Sequence, residues 1–216
     1  MQTELSIPAT LRRNTAAYLD WIQMLSGAAL IVFMWCHMLL VASVNLGSGV
    51  FDALAYFLEW TYMAQIGGPA IGILFLIHFA VAIRKVPVTS LQQKNMWNQA
   101  KMLRHKDTWL WVVQAVSAMV ILIMAGVHLW TVLTNLPIST AKSAARIQDG
   151  GWLWFYLILL PMAELHVGIG FYRIGVKWGF VQRRGRKGFQ KLEYIITGAF
   201  LAIGLLTLIT FATVSI

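Results

Sequence analysis

The chain carries five histidines, and four of them stand in apolar surroundings: His37, His78, His128 and His166. The fifth, His105, lies among Lys101, Arg104 and Lys106 and reads as a solvated surface residue. One histidine in an apolar segment is accounted for by a hydrogen bond to a neighbouring helix. Four, one in each of four separate segments, ask for more. An unpaired imidazole is costly in lipid, and neutral imidazole is a good ligand for haem iron. The single cysteine, Cys36, excludes an intramolecular disulfide, a Cys-x-x-Cys zinc or iron–sulfur site and a Cys-x-x-Cys-His covalent haem attachment. One acid completes the reactive set. Glu164 is deep in an apolar run, where a carboxyl group is a functional candidate by default. Glu59, before another run, reads from the sequence alone as an exposed acid on an amphipathic helix.

The elements that position these residues are membrane spans. Apolar residues make up 59% of the 216, and mean hydropathy is +0.69, against about 45–50% apolar in ordinary soluble domains. Five apolar stretches run Trp21–Leu46, Gly67–Ile83, Thr108–Leu136, Gly151–Val176 and Tyr194–Ile216. Four are long enough to cross about 30 Å of hydrocarbon at 1.5 Å per residue, and the second is once its flanks are counted. The expected fold is therefore all-α, one integral membrane bundle of five transmembrane helices with no added soluble domain. Glu164 is the one acidic residue expected deep inside. Pro69 suits the first turn of the second helix, Pro161 should kink the fourth, and Pro137 ends the third. Between the first two spans, Phe51, Leu54, Ala55, Leu58 and Tyr62 recur at helical spacing, which predicts an interfacial amphipathic helix over Phe51–Gln65. The first 20 or so residues are polar or mixed and lack the apolar core and cleavage site of a signal peptide.

Charge gives the orientation. Of the 17 lysines and arginines, only Lys142 and Arg146 fall on one side of this arrangement. Arg12, Arg13, Arg84, Lys85, Lys94, Lys101, Arg104, Lys106, Arg173, Lys177, Arg183, Arg184, Arg186, Lys187 and Lys191 fall on the other. The positive-inside rule makes that side cytoplasmic, with the N-terminus inside and the C-terminus outside. The net charge of +9 is thus topological and not a sign of nucleic-acid binding. It gives a basic face to a cytoplasmic partner or to anionic lipid. No internal repeat and no inverted symmetry of the transporter kind is visible.

Depth sorts the histidines. His37 and His128 lie about 15 to 20 residues from the cytoplasmic ends, or about 22–30 Å deep, and His78 and His166 about 8–10 residues, or about 12–15 Å. His37 then pairs with His128 near the outer side and His78 with His166 near the inner side. Two bis-histidine haems at two depths would result, and a single metal ion using all four is excluded by that separation. Gly170, one turn from His166, leaves room beside it. Lys177 lies near the same face at the cytoplasmic interface, where it either pairs with a propionate or snorkels to the headgroups. Gln23 and Trp111 sit at similar depth with donors available, Trp111 reading equally as a belt aromatic. Glu164 is about 200° around the helix from His166 and faces away from it.

The histidines on helices one to four, the inside N-terminus and the run Glu164-Leu-His166-x-x-x-Gly170-x-x-Arg173-x-x-x-Lys177-Trp178-Gly179 resemble the dihaem cytochrome b subunit of menaquinol:fumarate reductases, in the succinate:quinone oxidoreductase superfamily. The likeness covers essentially the whole chain. It implies two haems b, with His37 and His128 as axial ligands of the outer and His78 and His166 of the inner, and Gln23, Trp111 and Lys177 at the inner propionates. It implies that Glu59 accepts a proton from menaquinol and that Glu164 conducts protons through the membrane.

The chain has no dinucleotide fingerprint or phosphate loop, so flavin and dicarboxylate chemistry belong to other subunits. The resemblance implies an FAD flavoprotein and an iron–sulfur subunit on the cytoplasmic face of a bacterial inner membrane, with electrons passing from menaquinol through the haems to fumarate. The same parts serve succinate oxidation. Two other readings compete. A cytochrome b anchor of a hydrogenase, formate dehydrogenase or nitrate reductase has histidines on fewer helices and lacks the fourth-helix run. A transporter with a histidine–glutamate proton relay does not account for pairing at two depths.

Overall fold

A computed structural model of the chain describes residues 9–215, with side chains from residue 14 onward. The side chains of Arg12 and Arg13, which entered the charge count, and the first residues of the polar N-terminal run lie outside the described residues. Among the described residues there are eight α-helices and no strand: α1 (Ala9–Ala42), α2 (Ser48–Trp60), α3 (Gly68–Ile83), α4 (Ser90–Leu103), α5 (Lys106–Leu133), α6 (Thr140–Gln148), α7 (Gly151–Lys177) and α8 (Arg186–Thr213). Five helices are long and apolar enough to cross a membrane, over Asn14–Leu46, Met63–Ile83, Lys106–Leu133, Gly151–Lys177 and Arg183–Thr213. Large apolar side chains along them, such as Ile73, Leu76, Ile123 and Ile209, point outward, as they do where the solvent is lipid and not water.

The spans follow the apolar runs, with shifts at their ends. Helix α1 begins before the expected Trp21, through a stretch where Ala16, Ala17 and Leu19 are good helix formers. Helix α3 is extended at its N-terminal end by a wide turn over Met63–Gly67, which supplies the length its apolar run lacked. Helix α8 starts eight residues before the expected Tyr194, through a basic stretch that hydropathy alone excludes. That shift overturns one expectation. Glu193 falls inside the helix and is 5% exposed, so Glu164 is not the only buried acid. Helix α7 runs unbroken through Pro161. Pro69 sits in the first turn of α3, and α5 stops before Pro137.

Helices α1, α3, α5 and α7 close into a ring, each packed on the next, and α8 lies outside it against α7 and α1. The four helices of the ring are the four that carry the histidines. At the end that carries Lys142 and Arg146, Val44, Phe51, Ala144, Ile147 and Phe211 form a small core that ties α2 and α6 to α8. Of the stripe expected along α2, Phe51 and Ala55 are buried. Leu54 and Tyr62 are exposed, Tyr62 because the helix ends at Trp60 and the chain turns there with φ 59°. At the opposite end, α4 begins with a capping box in which Thr89 and Gln92 satisfy one another's backbone donors.

Candidate functional site

The outer pair meets within the ring. The imidazoles of His37 and His128 have centroids 6.0 Å apart and planes 63° apart. Two metal–imidazole bonds of about 2 Å each, with about 1 Å from each ring nitrogen to its centroid, separate trans axial ligands by about 6 Å. The spacing therefore fits a pair of axial ligands with one metal between them. His128 Nδ1 lies 3.0 Å from the Tyr156 hydroxyl, which leaves Nε2 as the nitrogen available to a metal.

The inner histidines are held in one tautomer. Ser26 Oγ donates to the Ile22 carbonyl at 2.6 Å and lies 3.0 Å from His78 Nδ1. Its proton is committed to the carbonyl, so it must accept from Nδ1–H. His166 Nδ1 lies 3.1 Å from the Gln114 carbonyl, an acceptor only, so it too carries the proton. In both rings Nε2 keeps its lone pair, the form that binds a metal. A Cβ on Gly27 would come 3.0 Å from His78 Cε1, so a glycine there lets α1 lie against the ring. Among the described residues no three of His, Cys, Asp and Glu gather as for an all-protein metal cage, and an axial pair needs only two.

The corner of the bundle where α1 meets the ends of α3 and α7 gathers charge. Asp20 pairs with Arg84, with Lys85 Nζ at 2.7 Å and with Lys177 Nζ at 2.7 Å. Lys85 Nζ also donates to Gln23 Oε1 at 2.7 Å. Burial pushes the pKa of the Lys85 ammonium down, and Asp20 opposes it. Trp111 reaches the same corner by lining a cavity of about 280 Å³ with Arg84, Lys85, Pro87, Gln92 and Met96. Gln23, Lys177 and Trp111, expected at one depth, thus come to one corner. Three cations around one carboxylate leave it with surplus positive charge.

The two acids sit apart. Glu59 is partly buried at the end of α2, and Oε1 accepts the Ile138 backbone N–H. Glu164 is 1% exposed, and its Oε1 has no hydrogen-bond partner among the described residues. One turn before it, Leu160 meets Gly204, and one turn after it, Gly168 meets Thr197 and Glu193. Glu164 therefore faces α8, while His166 faces α5. Gly170 packs against the Gln114 side chain, whose Nε2 would lie 3.3 Å from an added Cβ. His105 is exposed at the start of α5.

The model of the succinate dehydrogenase/fumarate reductase transmembrane subunit matches residues 90–214, more than half of the 216. The chain belongs to that family. It is 32% identical over 200 residues to the fumarate reductase cytochrome b subunit of Helicobacter pylori, covering 88% of this chain and 78% of the relative. With the fumarate reductase cytochrome b subunit of Wolinella succinogenes it shares 29% identity over 213 residues, or 93% and 83% of the two chains.

Several residues that surround the histidines carry no mark in the sequence. Ser26, Gln114, Ser117 and Tyr156 hold ring nitrogens, and each is an ordinary polar residue until the facing helix is known. Arg173 belongs to the fourth-helix run but had no expected partner. It donates through Nη1 to Gln114 Oε1, so Gln114 touches His166 with its backbone and Arg173 with its side chain. The one available signal was the small-residue run Ser26-Gly27-Ala28-Ala29, a pattern that lets helices approach closely.

Proposed function

We propose that the chain is the dihaem cytochrome b subunit of a quinol:fumarate oxidoreductase, a multi-pass protein of the bacterial cytoplasmic membrane with its basic face inside. The observation that carries this reading is the pair His37 and His128, 6.0 Å apart between centroids, with the inner His78 and His166 held as tautomers that leave Nε2 free. Haem b bound at each pair would supply one-electron transfer at two depths, joining the outer side of the membrane to the inner.

The chain's own residues do the rest. Tyr156, Ser26 and the Gln114 carbonyl fix the imidazole orientations, which raises ligand basicity and prevents the rings from swinging out of line. Arg84, Lys85 and Lys177 outnumber Asp20, and with Gln23 and Trp111 they suit a pair of propionates at the inner site. Glu59 takes the proton of menaquinol at the outer side. It is anchored to the Ile138 N–H through one oxygen, so the other is available to the substrate hydroxyl. Electrons leave on the basic inner face to an iron–sulfur subunit and an FAD flavoprotein, which carry the dicarboxylate chemistry.

Two electrons moving inward while two protons are released outside would separate charge, at about 2.3 kcal/mol per charge for each 100 mV. Glu164, mid-span and buried, is the group that takes up and passes one proton per electron. The test is purification of the complex with this chain, haem extraction, and fumarate reduction by a menaquinol. Two haems b per chain and quinol-dependent turnover support the reading. One haem or none, with the complex assembled, overturns it.

A further inference from the structure

Arg173 is a charged residue that neither the histidine pairs nor the Asp20 corner uses. It stands partly buried inside α7, seven residues after His166. Seven residues are close to two full turns, so Arg173 shares the face of His166, about 10 Å further toward the end that carries Lys177. A guanidinium stays protonated, and a charge withdrawn from water is normally matched by an opposite charge. This one is not. Among the described residues the ion pairs all converge on Asp20. The acceptor of Arg173 Nη1 is instead the neutral amide of Gln114, through Oε1 at 2.5 Å. Asp107 lines a cavity of about 130 Å³ together with Arg173, but it is exposed at the start of α5 and is in none of those pairs.

The same glutamine holds the histidine. His166 Nδ1–H donates to the Gln114 carbonyl at 3.1 Å, and Ser117 Oγ donates to that carbonyl at 3.1 Å. The Gln114 side chain then lies over Gly170, which stands between His166 and Arg173 on α7. A Cβ at Gly170 would come 3.3 Å from Gln114 Nε2, so the glycine leaves the amide room to reach the guanidinium. One residue of α5 thus fixes the orientation of an imidazole with its backbone and the position of a cation with its side chain. The separation of the two is set by α7 itself, which carries both.

We propose that Arg173, held in place by Gln114, is the charge that sets the reduction potential of the inner site. This rests on the reading of His78 and His166 as haem ligands. One electron received there from the outer site lowers the local charge by one, and no bond forms or breaks. A fixed cation favours that reduced state. A unit charge about 10 Å away, in surroundings with an effective dielectric constant of about 20, shifts the equilibrium about tenfold, or about 59 mV for one electron. Arg173 therefore makes the inner pair the better electron acceptor, which favours flow from the outer pair to the inner.

The test is a redox titration of the intact complex, followed in the reduced α-bands, the inner component being the one absent from His166→Ala. Arg173→Gln removes the charge and keeps an amide donor toward Gln114. Its inner component should be about tenfold harder to reduce than the parent's, a midpoint about 59 mV lower, with the outer component unmoved. Arg173→Lys keeps the charge and should titrate as the parent does. A parental inner midpoint in R173Q overturns the proposal. An equal fall in R173Q and R173K also overturns it, since charge would then not be the cause, and so does an equal fall of both components. If R173Q does not assemble, Gln114→Glu sets a carboxylate against the guanidinium and keeps the backbone carbonyl behind His166. Its inner midpoint should fall by a similar amount, and a parental value there overturns the proposal. A parent complex that titrates with one component or none overturns the dihaem reading itself, a result distinct from two components that Arg173 does not move.

Discussion

Tyr156→Phe isolates one hydrogen bond of the outer pair. The ring stays, with its contacts to Trp152 and Phe155 at centroid distances of 6.1 and 5.2 Å, so packing is preserved. What goes is the hydroxyl 3.0 Å from His128 Nδ1. A polar group left unpaired in an apolar interior costs about 1–3 kcal/mol, and loss of a partner behind a metal ligand typically lowers affinity about 10–100-fold. The two ranges overlap near a tenfold loss of outer-haem affinity, about 1.4 kcal/mol. The assay is transfer of haem from the detergent-solubilised complex to an excess of a scavenging apoglobin, followed in the reduced α-bands. The outer component should leave about ten times faster than in the parent, with the inner component at the parental rate. Parental rates for both components, or selective loss of the inner one, would refute the view that Tyr156 orients His128 as a ligand.

Other outcomes follow from the same geometry. Ser26→Ala removes the acceptor of the His78 Nδ1 proton and should speed loss of the inner haem alone, read in the same transfer assay. Glu59→Gln keeps an oxygen for the Ile138 N–H but removes the proton acceptor. Quinol oxidation should fall about 100-fold or more, as for loss of a general base, while both haems stay and an artificial donor still drives fumarate reduction; normal quinol turnover would return Glu59 to a structural role. Gly175→Ala places a Cβ 2.5 Å from the Phe189 ring, which is confined by Phe171 and Tyr172. That overpacking should cost about 1–3 kcal/mol and lower the midpoint of thermal haem release.

The spans and the histidines on four of them were legible because membrane burial writes a strong signal: long apolar runs broken at four places by histidine. What surrounds the histidines was not legible. Ser26, Gln114 and Tyr156 become partners of imidazole only when α1 meets α3, α5 meets α7, and α5 meets α7 again near the outer end. Those adjacencies are tertiary and leave no local pattern. Glu193 was hidden for a different reason. Hydropathy ended the fifth span at the basic run before Tyr194, but a helix continues through charged residues wherever they reach the interface. The short helices α4 and α6 were not anticipated, although each starts at a cap, Thr89 with Gln92 and Ser139, a signal independent of apolar periodicity. Asp20 looked like one residue of a polar terminus, and only the fold shows that Arg84, Lys85 and Lys177 all converge on it.

The most direct test of the two-site arrangement is to replace each ring histidine with alanine in the assembled complex and record the reduced low-temperature spectrum of every variant. His37→Ala and His128→Ala should delete one and the same haem component, and His78→Ala and His166→Ala the other, each loss leaving the remaining component unshifted in amplitude. If His37→Ala and His78→Ala delete the same component, or if any single replacement leaves both haems in place, the pairing across the ring is wrong.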